Sequence, residues 1–173
     1  MKAKAIAIED KVDELLDCLD KDSRHIEQSL SQLNEIRRLV IKRDESALGR
    51  LLENIQAESD SYKKHELKRQ SIRKELAHAL DCNFEQMTLS ALETSLPEAK
   101  KAQVTQRKAK LKLLIEELKK EHLSTALLLS ECARFNNLLL KSIFDLGKIG
   151  VVYYNSNGAA RRQTDMAFVN LQF

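Results

Sequence analysis

The chain has 173 residues, of which 32% are charged and only 5% aromatic, with no Trp. Its 29 Lys and Arg stand against 26 Asp and Glu, a net charge of +3 that gives no reason to invoke a nucleic-acid partner. Cys18, Cys82 and Cys132 are odd in number and share no CxxC spacing, which argues against a disulfide framework or a zinc site.

No apolar run reaches the roughly 20 residues that span a bilayer, and the opening MKAKAIAIED turns acidic before a signal-type apolar region forms. A cytoplasmic protein without cofactor, metal or membrane insertion is the expectation. Glycine and proline are scarce where helices would be interrupted: Gly49 is the sole glycine before Gly147, and Pro97 the sole proline. Leu, Ala, Glu, Lys and Arg dominate, the composition of long helices and coiled coils.

The first helix is expected over about residues 8–41. Its apolar seam alternates spacings of three and four through Val12, Leu15, Leu19, Ile26, Leu33, Ile36 and Val40. Asp22 and Ser29 interrupt that seam. The polar segment Lys42-Arg43-Asp44-Glu45-Ser46 follows, with Asp44 placed to cap a second helix over 44–80. That helix carries Leu48, Leu51, Leu52, Ile55, Tyr62, Ile72 and Leu76, while Glu58, His65 and Arg69 make the middle of its seam polar.

Residues 81–96 break the pattern, with one short helical turn at Thr88–Leu92. Pro97 then opens a third helix over 97–146, about 75 Å long at 1.5 Å per residue. From Leu111 to Leu146 this helix keeps a heptad seam that predicts a coiled-coil partner. Short connections favour antiparallel neighbours, so the fold class is all-α: an elongated antiparallel three-helix bundle or coiled coil over 1–146, with a flexible C-terminal tail over 147–173. In that tail Val151–Tyr154 is β-prone and Asn155–Gly158 is a turn signal, so a hairpin is one option for an arm that orders against a partner.

Pairing the second and third helices antiparallel, with Leu80 near Pro97, leaves the third helix overhanging by about one residue in four of its length. The overhang carries Phe135, Leu138, Leu139, Leu140, Ile143, Phe144 and Leu146 on more than one side, an apolar patch that marks a protein-interaction site. Burial of that patch by the tail, by residues 81–96 or in a homodimer is the alternative. Asn136, at a heptad position, either fixes register or hydrogen-bonds a bound backbone.

His65 and His122 fall on seams but not opposite each other, so they are read as structural or solvated. The basic run Lys100, Lys101, Arg107, Lys108, Lys110 and Lys112 lacks interleaved aromatics and reads as a solvated face. No carboxylate pair, Ser-His or Cys-His set, or phosphate loop suggests an enzyme. A self-associating coiled coil and a helical nucleic-acid adaptor stand as alternatives to a protein-binding role.

The polar turn Lys42-Arg43-Asp44, the Leu-rich final helix around Asn136-Asn137-Leu138-Leu139-Leu140-Lys141-Ser142-Ile143, and the Tyr-x-x-x-Gly element of Tyr154 and Gly158 resemble the FlgN family of bacterial flagellar export chaperones. The stretch after Arg162, ending Phe168–Phe173, is outside the family pattern. The resemblance implies binding of the C-terminal helical segments of hook-associated (hook-filament junction) proteins, protection from premature assembly, and delivery to the type III export gate. Taken with the uncovered overhang, client binding falls on Phe135, Asn136, Leu138, Leu139, Leu140, Ile143, Phe144 and Leu146. Gate docking falls to Tyr154, with the adjacent Tyr153 sharing the assignment.

Overall fold

The computed structural model describes residues 2–146, 151–154 and 160–163, with side chains over 8–144. In chain order the elements are α1 (Lys2–Lys42), α2 (Glu45–Ala79), α3 (Leu89–Ser95), α4 (Glu98–Leu146), β1 (Val151–Tyr154) and β2 (Ala160–Gln163). The chain divides into two compact units, Met1–Thr125 and Ala126–Phe173, and α4 runs through the division as one helix. The first helix begins earlier than the seam alone indicates, because the Ala-rich opening is itself strongly helix-forming.

Both inter-helix turns close in the same way without glycine. After α1, Arg43 takes a left-handed conformation with φ 56°. Its N–H donates to Val40 O at 3.1 Å and that of Asp44 to Leu39 O at 3.0 Å. After α2, Asp81 adopts φ 54°, with Asp81 N–H to His78 O at 3.3 Å and Cys82 N–H to Ala77 O at 3.0 Å. These paired bonds satisfy carbonyls that the helix end would otherwise orphan. Asp44 then caps α2 as expected, its Oδ1 accepting the Ala47 N–H at 3.0 Å. Thr88 does the same for α3 through Ala91 N–H at 3.1 Å. Pro97 lies one residue before α4, and its carbonyl takes the Lys101 N–H at 2.9 Å.

Within Met1–Thr125, α1 touches both other long helices. Against α2 it runs antiparallel: Lys11 meets Glu75, Asp22 meets His65 and Arg69, and Gln28 and Gln32 meet Glu58. Against α4 it runs parallel, with Asp13 facing Lys100, Asp20 facing Arg107, Glu27 facing Lys110 and Arg37 facing Glu121. Asp13 to Lys100, Asp20 to Arg107 and Arg37 to Ser124 share one sequence separation, 87 residues. Glu27 to Lys110 and Arg37 to Glu121 are separated by 83 and 84 residues, about one helical turn less, so all five contacts fit a parallel pair.

The polar contacts that fix helix direction run from α1 to each neighbour, antiparallel to α2 and parallel to α4, while α2 and α4 both contribute to the apolar core. Among the described residues no hydrogen bond or ion pair joins α2 to α4. The core gathers where all segments converge: Val12, Leu15, Leu16 and Leu19 of α1, Ile72 and Leu76 of α2, Met87, Leu92 of α3, and Val104 and Leu111 of α4.

The polar seam residues find one another. Asp22, only 2% exposed, accepts from His65 Nε2 at 3.0 Å and from Arg69. What reads in sequence as an interruption is a matched set, since a buried carboxylate must be paired. His65 therefore has a structural role, while His122 is exposed.

The unit Ala126–Phe173 contains the last part of α4 and an antiparallel hairpin in which Val151 pairs with Gln163 and Tyr154 with Ala160. The turn Asn155–Gly158 and the apolar terminus Phe168–Phe173 lie outside the described residues.

Asp22→Ala is expected to destabilise the fold by about 3 kcal/mol, because it strands a half-buried guanidinium. Urea unfolding of the purified chain measures this, and a change below about 0.5 kcal/mol would show that the Asp22 cluster carries no packing load.

Candidate protein-binding surfaces

Two surfaces stand out. The first is the C-terminal part of α4. Phe135, Leu138, Leu139, Leu140, Ile143 and Phe144 are each between 44% and 58% exposed. A helix turns 100° per residue, so positions 138, 139 and 140 cannot share one face. Asn136 is exposed beside them. The side chains of Leu146, Tyr153 and Tyr154 lie outside those described, although Tyr153 and Tyr154 are placed on β1.

The heptad seam of α4 is covered only in part. Leu111 and Thr125 are buried and Leu118 is half-buried, whereas Ile115, His122 and Leu129 are exposed. A single neighbour, α1, faces α4 there, and it cannot enclose a whole stripe.

The second surface is a groove of about 1020 Å³ within Met1–Thr125, floored by α1 and walled by α2 and α4. Leu15, Leu19 and Ile26 form its floor, and Leu111, Ile115 and Leu118 its α4 wall. On the α2 wall Tyr62 stacks on His25 of α1 with ring centroids 3.9 Å apart. Sequence reasoning missed this groove, since it follows from a gap between α2 and α4 along part of their length, bridged by α1.

One end of the groove is filled by the chain itself. Leu92 of α3 is 1% exposed and Leu89 packs against the same core. Glu93 of α3 binds Lys108 of α4 at 2.8 Å. Arg73 of α2 holds the preceding loop by donating to Met87 O at 2.9 Å, with its guanidinium 4.7 Å from the Phe84 ring centre.

Burial pushes the Cys18 thiol above its ordinary range, which makes it a poor nucleophile. Among the described residues no group of His, Cys, Asp or Glu could hold a metal ion, and no helix is long and apolar enough to cross a membrane.

The sequence model of the FlgN protein family matches residues 1–162, nearly the whole chain. The chain belongs to the FlgN family. Its role is accordingly that of a chaperone in flagellar export. No curated protein and no solved structure matches it. The FlgN match stops at Arg162, so the apolar terminus falls beyond it.

The hydrogen bonds from Lys108 and then Thr105 hold the Glu93 carboxyl below its ordinary value of 4.5. A carboxylate with a lowered value contributes stability that is present above the ordinary value and is lost as pH falls through and below it. The helix α3 should therefore loosen between about pH 5 and pH 3. Amide exchange over Leu89–Ser95 should accelerate across that window beyond the intrinsic trend, and Glu93→Gln should remove the excess. An identical profile in Glu93→Gln would contradict the role of this pair.

Proposed function

We propose that this FlgN-family protein captures the C-terminal helical segments of hook-associated proteins in the cytoplasm, prevents their early assembly and delivers them to the flagellar export gate. In this reading α1, α2 and α4 serve as an elongated three-helix scaffold. Client contact falls to Phe135, Asn136, Leu138, Leu139, Leu140, Ile143, Phe144 and Leu146, and gate docking to Tyr153 and Tyr154.

The observation that supports the client site is the row of half-exposed Phe, Leu and Ile side chains on several sides of the end of α4. Patches of this kind mark interaction surfaces. An amphipathic client helix laid along α4 would remove them from water by helix-in-groove packing. Each fully buried Leu, Ile or Phe is worth about 1.5–3 kcal/mol, so a few suffice for specific binding without nucleotide or cofactor. Asn136 offers an amide that can hydrogen-bond the client backbone inside such a contact.

Leu139→Asp combined with Ile143→Asp is expected to weaken binding of a hook-associated C-terminal segment at least about a hundredfold, near 2.7 kcal/mol, with helicity retained. Isothermal titration calorimetry and circular dichroism measure the two quantities. Unchanged affinity, or loss of a homodimer with client binding intact, would assign the patch to self-association.

Tyr153→Ala with Tyr154→Ala should preserve client affinity and abolish capture by the purified export-gate cytoplasmic domain in a pull-down. Full capture by that variant would remove the docking assignment.

A further inference from the structure

We propose that the open length of the groove between α2 and α4 is a second docking site, for a partner helix whose apolar stripe is flanked by carboxylates. The site lies within Met1–Thr125 and is separate from the client surface at Phe135–Leu146.

The chain supplies the template in α3. This seven-residue helix spans the groove at one end, sets Leu92 into the apolar floor and places Glu93 on Lys108. Beyond α3 the same channel continues along α1 to Ser29 and along α4 to Lys119, with Ile26 on its floor and Ile115 and Leu118 on its wall. Lys112 and Lys119 line this open part, four and eleven residues past Lys108. Those spacings keep all three ammonium groups on one side of α4.

Charge decides the class of occupant. Lys108 is taken by Glu93, but among the described residues neither Lys112 nor Lys119 has an ion-pair partner. On the α1 and α2 side Arg69 is committed to Asp22. Glu116 is the one carboxylate on the α4 wall of the open length. A helix repeating the pattern of α3, with Leu inward and Glu toward α4, meets both the apolar floor and the two unpaired lysines. A Lys-flanked helix meets repulsion in the same place, and such mismatches discriminate partners more strongly than matched rim charges add affinity.

The test uses the full chain and two fluorescein-labelled model helices of about 18 residues, five turns long. Both carry the same Leu stripe, flanked by Glu in one and by Lys in the other. Fluorescence anisotropy should show the Glu-flanked peptide binding roughly tenfold more tightly or better, about 1.4 kcal/mol.

Lys112→Glu with Lys119→Glu, both at exposed positions, should invert the preference without loss of helicity. The Leu139→Asp and Ile143→Asp pair should leave it unchanged, which separates this site from the client surface. Equal affinity for the two peptides, or indifference to the lysine reversal, would overturn the proposal. So would concentration-dependent self-association that the lysine reversal abolishes, since the groove then takes a second copy. Displacement of the peptide by single-stranded RNA at physiological salt would reassign it to a polyanion.

Discussion

The arrangement depends on α1 having two committed sides. One side carries acidic residues at Asp13, Asp20 and Glu27 that meet basic residues of α4 running parallel. The other carries Lys11, Asp22 and Gln28, which meet α2 running the opposite way. Most of these pairs are partly solvated, so each contributes at most about 1 kcal/mol. Their value is in fixing direction and register. The stabilising term is the apolar cluster around Leu15, Leu76, Leu92 and Val104, where four segments meet. Because α1 serves both neighbours, α2 and α4 stand apart along part of their length, and the groove is the space between them.

Packing quality therefore varies along the molecule. Near α3 the gap is plugged by Met87 and Leu92, which are almost fully buried. Farther along α2, Leu52 and Glu58 face water, and Leu51 and Ile55 are half-buried. The gradient leaves the fold tight at one end and open along the other. Surfaces that a self-contained bundle would cover are left accessible, and the tight end preserves the fold while they are open.

Much of the helical organisation was legible from residue type. The absence of Gly and Pro before Gly147, except Gly49 and Pro97, dictates long helices, and Asp44 and Pro97 mark where two of them start. The seam of α1 is buried at Val12, Leu15, Leu19 and Ile26 as the spacing implies, whereas Leu33, Ile36 and Val40 are half-buried and Leu39 is the buried residue there. Connection length alone does not reveal that α1 carries the polar contacts to both neighbours, because those depend on where its charges fall. Seam polarity was likewise ambiguous. Asp22, His65 and Arg69 each look like a defect in isolation, yet they fall opposite one another when α1 and α2 run antiparallel. The apolar end of α4 was evident in its sequence because no single helix face holds Leu138, Leu139 and Leu140.

The claim that most needs a direct answer is that the end of α4 receives a client helix. Hydrogen–deuterium exchange of the full chain with and without the C-terminal helical segment of a hook-associated protein addresses it residue by residue. Strong slowing of amide exchange across Phe135–Leu146 on client addition is the predicted result. Slowing confined to α1 and α2, with exchange across the end of α4 unchanged, would contradict it.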